Sequence, residues 1–114
     1  MPSSTGATLY RFFARGWLAV PDSPALNVKT LVLSTAGARV RHENAPPNPG
    51  TSTCLRLALL VGETPQFVDV PVTVRDTVLS QNAYQTDLDF PPLDSTLRNT
   101  LELVLRGRPA VSSR

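Results

Sequence analysis

Alternation of apolar and polar residues on both sides of a proline-rich segment limits how this chain folds more than any other feature. The segment ARVRHENAPPNPGTSTCLRLALLV runs from Ala38 to Val61. Before the prolines, Arg39 and Arg41 alternate with Ala, Val and His, and after them Arg56 stands within a leucine-rich run. A period of two residues is typical of a strand with one buried face. The sequence therefore predicts a β-hairpin with one apolar face and one face that carries three arginines.

Further strands are predicted on both sides of this hairpin. Ala7–Val20 and Leu26–Ser34 precede it, and Gln66–Ser80 and Ala83–Phe90 follow it. Each is rich in β-branched, aromatic or alternating residues and is bounded by proline, glycine or polar turn residues. The single tryptophan, Trp17, is interpreted as a core residue of the first of these strands.

A single amphipathic helix is predicted at the end of the chain. Two prolines end the last strand, and Asp94 or Ser95 is suited to cap a helix. The apolar stripe consists of Leu97, Leu101, Val104 and Leu105. Gly107 is a natural end for this helix. The predicted fold class is α+β, an antiparallel sheet with an N-terminal hairpin and a C-terminal amphipathic helix, in one domain that spans residues 1–114.

The inventory of reactive side chains gives little support to an enzyme. One cysteine, Cys54, and one histidine, His42, cannot form an internal disulfide, a cysteine-based metal cluster or a histidine metal site. Asp87 and Asp89 share a strand face, and a solvated sheet surface explains them better than acid–base catalysis. We therefore predict a protein without enzymatic activity, cofactor or metal. No apolar run has the length of a membrane span and no secretory signal is evident, so a soluble intracellular protein is expected.

Arginine dominates the basic residues, since ten of the eleven cationic side chains are Arg and Lys29 is the exception. The formal net charge is only +2. A sheet that presents arginine and tyrosine together is suited to contact RNA phosphates and to stack on bases.

The order of elements resembles the coat proteins of single-stranded RNA bacteriophages, the leviviruses. The resemblance covers about Lys29–Val111 and lies in TLVLSTAG, in the hairpin segment quoted above, and in NAYQTDLDFPP followed by LDSTLRNTLELVL. It implies an interlocked homodimer whose sheets join edge to edge under crossing helices. Many dimers would form an icosahedral shell around a single-stranded RNA genome. The protein would then belong to the virion, assembled in the cytoplasm of a bacterial host, with no membrane and no small-molecule substrate.

The same resemblance assigns roles to individual residues. The RNA-binding face would consist of Arg39, Arg41, Arg56, Tyr84, Gln85 and Asp87. Such a face also binds an RNA hairpin in that family, which represses translation. Core and dimer packing would rest on Leu88, Phe90, Leu97, Leu101, Val104 and Leu105.

Two other kinds of protein remain open on the same residues. A small β-rich decoration or tail component of a DNA phage would be oligomeric and free of RNA. A nucleic-acid-binding barrel of the OB type would have five closed strands with aromatic residues on its binding face. The terminal position of the helix counts against the OB type.

Overall fold

The structure, a computed structural model, describes residues 8–111, which form seven strands and one helix. In chain order these are β1 (Tyr10–Arg11), β2 (Arg15–Val20), β3 (Ser23–Leu33), β4 (Gly37–His42), β5 (Ser52–Val61), β6 (Thr64–Ser80), β7 (Ala83–Asp89) and α1 (Ser95–Leu105). Every strand pair is antiparallel. Within residues 8–111, no helix is long and apolar enough to cross a membrane.

Six strands close into a barrel within one chain. Their order is β2, β3, β4, β7, β6 and β5, and the circle closes because β5 pairs with β2. Full closure removes most of the unpaired backbone edges that an open sheet would expose. β1 pairs with the second half of β3 and so continues the line of β2.

A threonine side chain connects β1 to β2 where the chain leaves the ladder at Phe12–Ala14. The Ala14 N–H donates to Thr30 Oγ1 at 2.8 Å, and the Thr30 hydroxyl donates to the Phe12 carbonyl. The backbone N–H of Thr30 donates to the Ala14 carbonyl, also at 2.8 Å. Because the buried threonine satisfies these groups, β1 and β2 stay aligned along β3.

The inward-facing residues of the barrel form one apolar core, which α1 covers at one end. Asp94 caps the helix, since its carboxylate accepts a hydrogen bond from the Leu97 N–H at 2.8 Å. Leu97 is partly buried against the core. The other residues assigned to packing are buried in the same chain: Leu88, Phe90, Leu101, Val104 and Leu105.

The predicted hairpin over Ala38–Val61 does not exist. β4 pairs with β3 and β7, whereas β5 pairs with β2 and β6, so the two strands are not neighbours. The proline-rich connection between them carries the chain from one side of the barrel to the other. Both strands are present with the predicted alternation, but their arginines do not share one two-stranded surface.

The interlocked dimer is also wrong as a fold class. An open sheet would need a second chain to cover its apolar face, whereas here closure of the barrel buries that face within one chain. The helix packs on β5 of its own chain and so is not available to clasp a partner. The predicted first strand, Ala7–Val20, is interrupted at Phe12–Ala14, and its first residue lies outside the described part of the chain.

Candidate functional site

A row of three cationic residues crosses the outer face of the barrel. Arg15 on β2 lies directly opposite Lys29 on β3, and Lys29 lies directly opposite Arg41 on β4. Residues paired in this way have their Cβ atoms about 5 Å apart and point to the same face. Like charges in such positions repel each other. The row therefore costs stability unless an anion binds to it.

Three other arginines of the barrel surface, Arg39, Arg56 and Arg75, are paired with carboxylates. Arg39 Nε lies 2.8 Å from Asp87 Oδ1, and Arg56 Nε lies 2.8 Å from Asp69 Oδ1. These pairs raise the pKa of Arg39 and Arg56 through hydrogen bonds to the carboxylates, and the same contact lowers the pKa of Asp69. Arg75 contacts both Asp87 and Asp89.

The cationic row has no such partner. Within residues 8–111, no carboxylate oxygen lies within 4.0 Å of a side-chain nitrogen of Arg15, Lys29 or Arg41. Three positive charges on adjacent strands, none of them held in an ion pair, are suited to hold a ligand with several negative charges.

The row forms one wall of an open groove of about 590 Å³. The groove is also lined by Trp17, Asn27, Asn44 and the acidic Glu43, which forms no ion pair with the row. Trp17 lies opposite Asn27 on β3 and is only half-buried, so it belongs to the outer face and not to the core as predicted. Its ring meets the Phe67 ring edge-on, with centroids 5.8 Å apart, which holds it in place. The groove thus combines cations with an aromatic face and two side-chain amides.

A second row of arginines, of which Arg39 is paired with Asp87, lies along the same strands. Arg11 on β1 lies opposite Val32 on β3, and Val32 lies opposite Arg39 on β4. Both arginines are exposed, so the outer face of β1 to β4 carries five cations in two rows. Arg11 and Arg15 fall on one face because the register of β3 shifts between Thr30 and Val32, which brings Val32 to the same face as Lys29.

A buried histidine supports the groove from inside. His42 accompanies Arg41 on β4 but points inward, where Nε2 lies 2.7 Å from Thr86 Oγ1 and Nδ1 lies 2.8 Å from the Asn44 carbonyl. Its ring stacks on Tyr84, with centroids 5.6 Å apart. Burial lowers the pKa of His42, although the hydrogen bond to the Asn44 carbonyl opposes that shift. The neutral imidazole thus fixes the end of β4 where the groove begins.

The structure separates the residues that were predicted to bind RNA into three groups. Arg41 pairs with Gln85 and Arg39 pairs with Asp87, so these four lie together on β4 and β7. Tyr84 pairs with His42 on the opposite, inward-directed row. Arg56 lies on β5, beyond β2, and is bound to Asp69.

Sequence reasoning missed the residues that share the groove with Arg41. Arg15, Trp17, Asn27 and Lys29 belong to strands that were predicted, but nothing in the sequence indicated which strands are neighbours. One signal was present: Asn27 and Lys29 alternate with Leu26, Val28 and Thr30, which marks them as outward-facing. Lys29 is the only lysine of the chain, but this fact does not indicate which way its side chain points.

The side chains that were considered for catalysis are in ion pairs or are poorly suited to react. Arg75 bridges Asp87 and Asp89, and burial raises the pKa of the Cys54 thiol, which disfavours a reactive thiolate. No group of three or more metal-ligating side chains is found in the described range. That the chain is not an enzyme stays a prediction.

Comparison with known proteins gives structural neighbours only. No protein-family model matches the sequence, and no curated protein matches it. The inhibitor of motility MotI/DgrA from Bacillus subtilis is similar over 90% of this chain and 49% of its own, with a TM-score of 0.73 and 11% identity. This chain thus spans about half the length of that protein.

Two further neighbours are PilZ domains. The PilZ domain of YcgR from Escherichia coli, in a structure with c-di-GMP, is similar over 90% of this chain and 88% of its own, with a TM-score of 0.71 and 12% identity. A tetrameric PilZ domain from Xanthomonas campestris is similar over 74% of this chain and 45% of its own, with a TM-score of 0.56 and 25% identity. The barrel with one short helix therefore has the fold of PilZ domains.

These neighbours correct the coat-protein interpretation. They are bacterial cellular proteins with the PilZ fold and not phage coat proteins, so the predicted family, the capsid function and the virion localisation are wrong. The predicted partners, a viral RNA genome and no small molecule, conflict with these neighbours, of which the YcgR domain was solved with c-di-GMP. The OB-type alternative is not supported either. The error arose because an open sheet and a closed barrel can have the same succession of strands along the chain, followed by a terminal helix.

Proposed function

We propose that this chain is a PilZ-like binding domain whose ligand is a cyclic dinucleotide of the c-di-GMP type. The ligand would lie in the groove on the outer face of β2, β3 and β4. The observation that carries this proposal is the row of Arg15, Lys29 and Arg41, which opposes like charges across three strands with no ion pair to a carboxylate of residues 8–111.

The groove matches the chemistry of such a ligand. A cyclic dinucleotide has two phosphodiester anions and two purine bases. Arginine and lysine bind phosphate oxygens through charge-assisted hydrogen bonds, and an aromatic ring such as that of Trp17 stacks on a base. The amides of Asn27 and Asn44 offer both donors and acceptors to base edges. A volume of about 590 Å³ lies within the usual range of small-molecule sites.

The neighbours support the class of ligand and not its position. The YcgR domain was solved with c-di-GMP, but at 12% identity it shares the fold alone. The assignment of individual residues therefore rests on the cation row and the groove. As in ligand-responsive regulators, the domain would report the presence of the nucleotide to a partner protein, without turning it over.

Calorimetric titration with c-di-GMP tests the proposal. Each of Arg15→Ala, Lys29→Ala and Arg41→Ala removes one charge-assisted contact, worth about 1.5–3 kcal/mol, and should weaken binding by about ten- to a hundred-fold. Arg98→Ala is the matched control, since Arg98 is exposed on α1 and makes no ion pair with a described residue. It should leave the affinity unchanged.

Two results would refute the proposal. The first is a wild-type protein that shows no heat of binding with c-di-GMP at any concentration tested. The second is binding that the three groove variants and Arg98→Ala weaken to the same degree, because general electrostatic attraction would then suffice. Chromatography of the recovered nucleotide, which should be intact, tests the absence of enzymatic turnover.

A further inference from the structure

Each half of β6 has one unpaired edge. The first half of this strand pairs with β5 and the second half pairs with β7, so each half has a second side that faces no strand. On the side of β6 that faces away from β7, Val74 is the last residue with backbone hydrogen bonds. Its carbonyl accepts from the Gly50 N–H, and its N–H donates to the Thr51 carbonyl. Beyond it, within residues 8–111, no backbone group on that side of 75–80 has a backbone partner.

The turn after β6 determines which backbone groups point to this edge. Gln81 and Asn82 both have positive φ, 53° and 66°, and form a two-residue hairpin turn in which Ser80 and Ala83 are bonded to each other. Hydrogen-bonded and non-bonded pairs alternate from there along an antiparallel ladder. The N–H and C=O groups of Thr77 and Leu79 therefore point away from β7, toward the open edge.

Proline protects the other half of β6 and is absent from this half. The same counting from the Gly62–Glu63 turn shows that residues 65, 67, 69 and 71 direct their N–H position away from β5. Two of these four are Pro65 and Pro71, which cannot donate to an added strand. Such prolines are a known way of blocking edge-to-edge pairing. The edge at Thr77 and Leu79 has no proline.

The unprotected edge is also apolar. Val78 is 58% exposed and Leu79 is 69% exposed, the latter being the highest value among the large apolar residues of the described chain. An exposed apolar edge strand with free backbone groups invites the addition of another strand.

We propose that this edge binds the same edge of a second copy of the chain, antiparallel, about a two-fold axis at Val78. Thr77 of each copy would form a hydrogen-bonded pair with residue 79 of the other, which uses all four free N–H and C=O groups of each copy. Val78 would face its own counterpart across the axis, and Asp76 would face the hydroxyl of residue 80.

This register fits the side chains better than its neighbour. An axis at Thr77 would place the Asp76 carboxylate opposite Val78 and would require pairing at Arg75, where the β6–β7 register shifts. The axis at Val78 uses only the regular residues 76–80, places apolar against apolar, and opposes no like charges. A strand that is complementary to itself favours a second copy over an unrelated peptide.

The proposed dimer differs from the interlocked coat-protein dimer, since each barrel stays closed and no helix crosses. It also does not depend on the nucleotide. Val78 pairs with Gln85, and Gln85 pairs with Arg41, so the shared edge lies two strands from the cationic row, on the same outer face. The interface is small, and we expect a dimer that forms in the upper micromolar range.

Sedimentation and light scattering over a concentration series test this pairing. Wild-type protein should shift from monomer to dimer. Val78→Lys and Val78→Glu each place like charges together at the axis and should raise the dissociation constant by about ten-fold or more. An equimolar mixture of Val78→Lys and Val78→Glu should restore the dimer as a heterodimer, because opposite charges then meet.

Leu103→Lys is the matched control. Leu103 is an exposed apolar residue, 46% exposed, and belongs to α1 and not to the β6 edge. The variant should dimerise like the wild type. A wild type that stays monomeric, a Val78→Lys variant that still dimerises, a mixture that does not recover, or a loss of dimer in Leu103→Lys would each overturn the proposal.

Discussion

Replacing Lys29 with glutamine should stabilise the unliganded protein while it weakens ligand binding. Lys29 lies between Arg15 and Arg41, directly opposite both. Each directly opposed like-charge pair costs about 0.5 kcal/mol. Removing the central charge relieves two such pairs, so the free energy of unfolding should rise by about 1 kcal/mol, which corresponds to about 4 °C in Tm for a domain of this size.

Thermal unfolding at two salt concentrations distinguishes this cause from others. At low ionic strength the gain should be complete, and near 1 M salt it should vanish, because the screening length falls to about 3 Å. Lys29→Arg keeps the charge and should show no gain at either concentration. A Tm that does not rise at low salt, or that rises equally at both concentrations, would refute the idea that the row is held against its own repulsion for a ligand.

Two further predictions concern residues that hold the groove in place. Burial lowers the pKa of His42, so below about pH 6.5 the unfolded chain takes up a proton that the folded protein does not. The free energy of unfolding should therefore decrease as the pH is lowered from about 6.5 toward the pKa of His42 in the folded protein. His42→Gln should remove this decrease when urea denaturation is measured over a pH series. An unchanged pH dependence in the variant would contradict the prediction. Gly37→Ala would place a Cβ 2.6 Å from the Leu88 carbonyl oxygen and should force β4 away from β7. We expect a loss of about 1–3 kcal/mol in thermal unfolding, against no loss for Thr35→Ala in the same turn.

The local features of the fold were within reach of the sequence. Period-two alternation located the strands, because a side chain two positions along a strand returns to the same face whatever its neighbours are. The helix and its Asp94 cap followed from residues that act within one turn. Burial of Leu101, Val104 and Leu105 needed only the helical stripe and some apolar surface to meet it.

The neighbours of each strand were not within reach. Closure depends on β2 meeting β5 and on β3 meeting β4, and neither pairing leaves a mark in local alternation. The proline-rich segment between β4 and β5 looked like a hairpin loop because two alternating strands flank it. It is a crossing connection, and only the positions of β3 and β7 on both sides of β4 reveal that.

The candidate site was hidden for the same reason. Arg15, Lys29 and Arg41 are separated by 14 and 12 residues in the sequence, and each alone looks like an ordinary solvent-facing residue. Their significance appears only when register places them opposite one another, where three like charges without an ion pair are costly. By contrast, the arginines that looked most suggestive in the sequence, Arg39 and Arg56, are each bound to an aspartate. Charge alternation along the chain thus identified Arg41 together with two paired arginines, whereas Arg15 and Lys29 required the three-dimensional order of the strands.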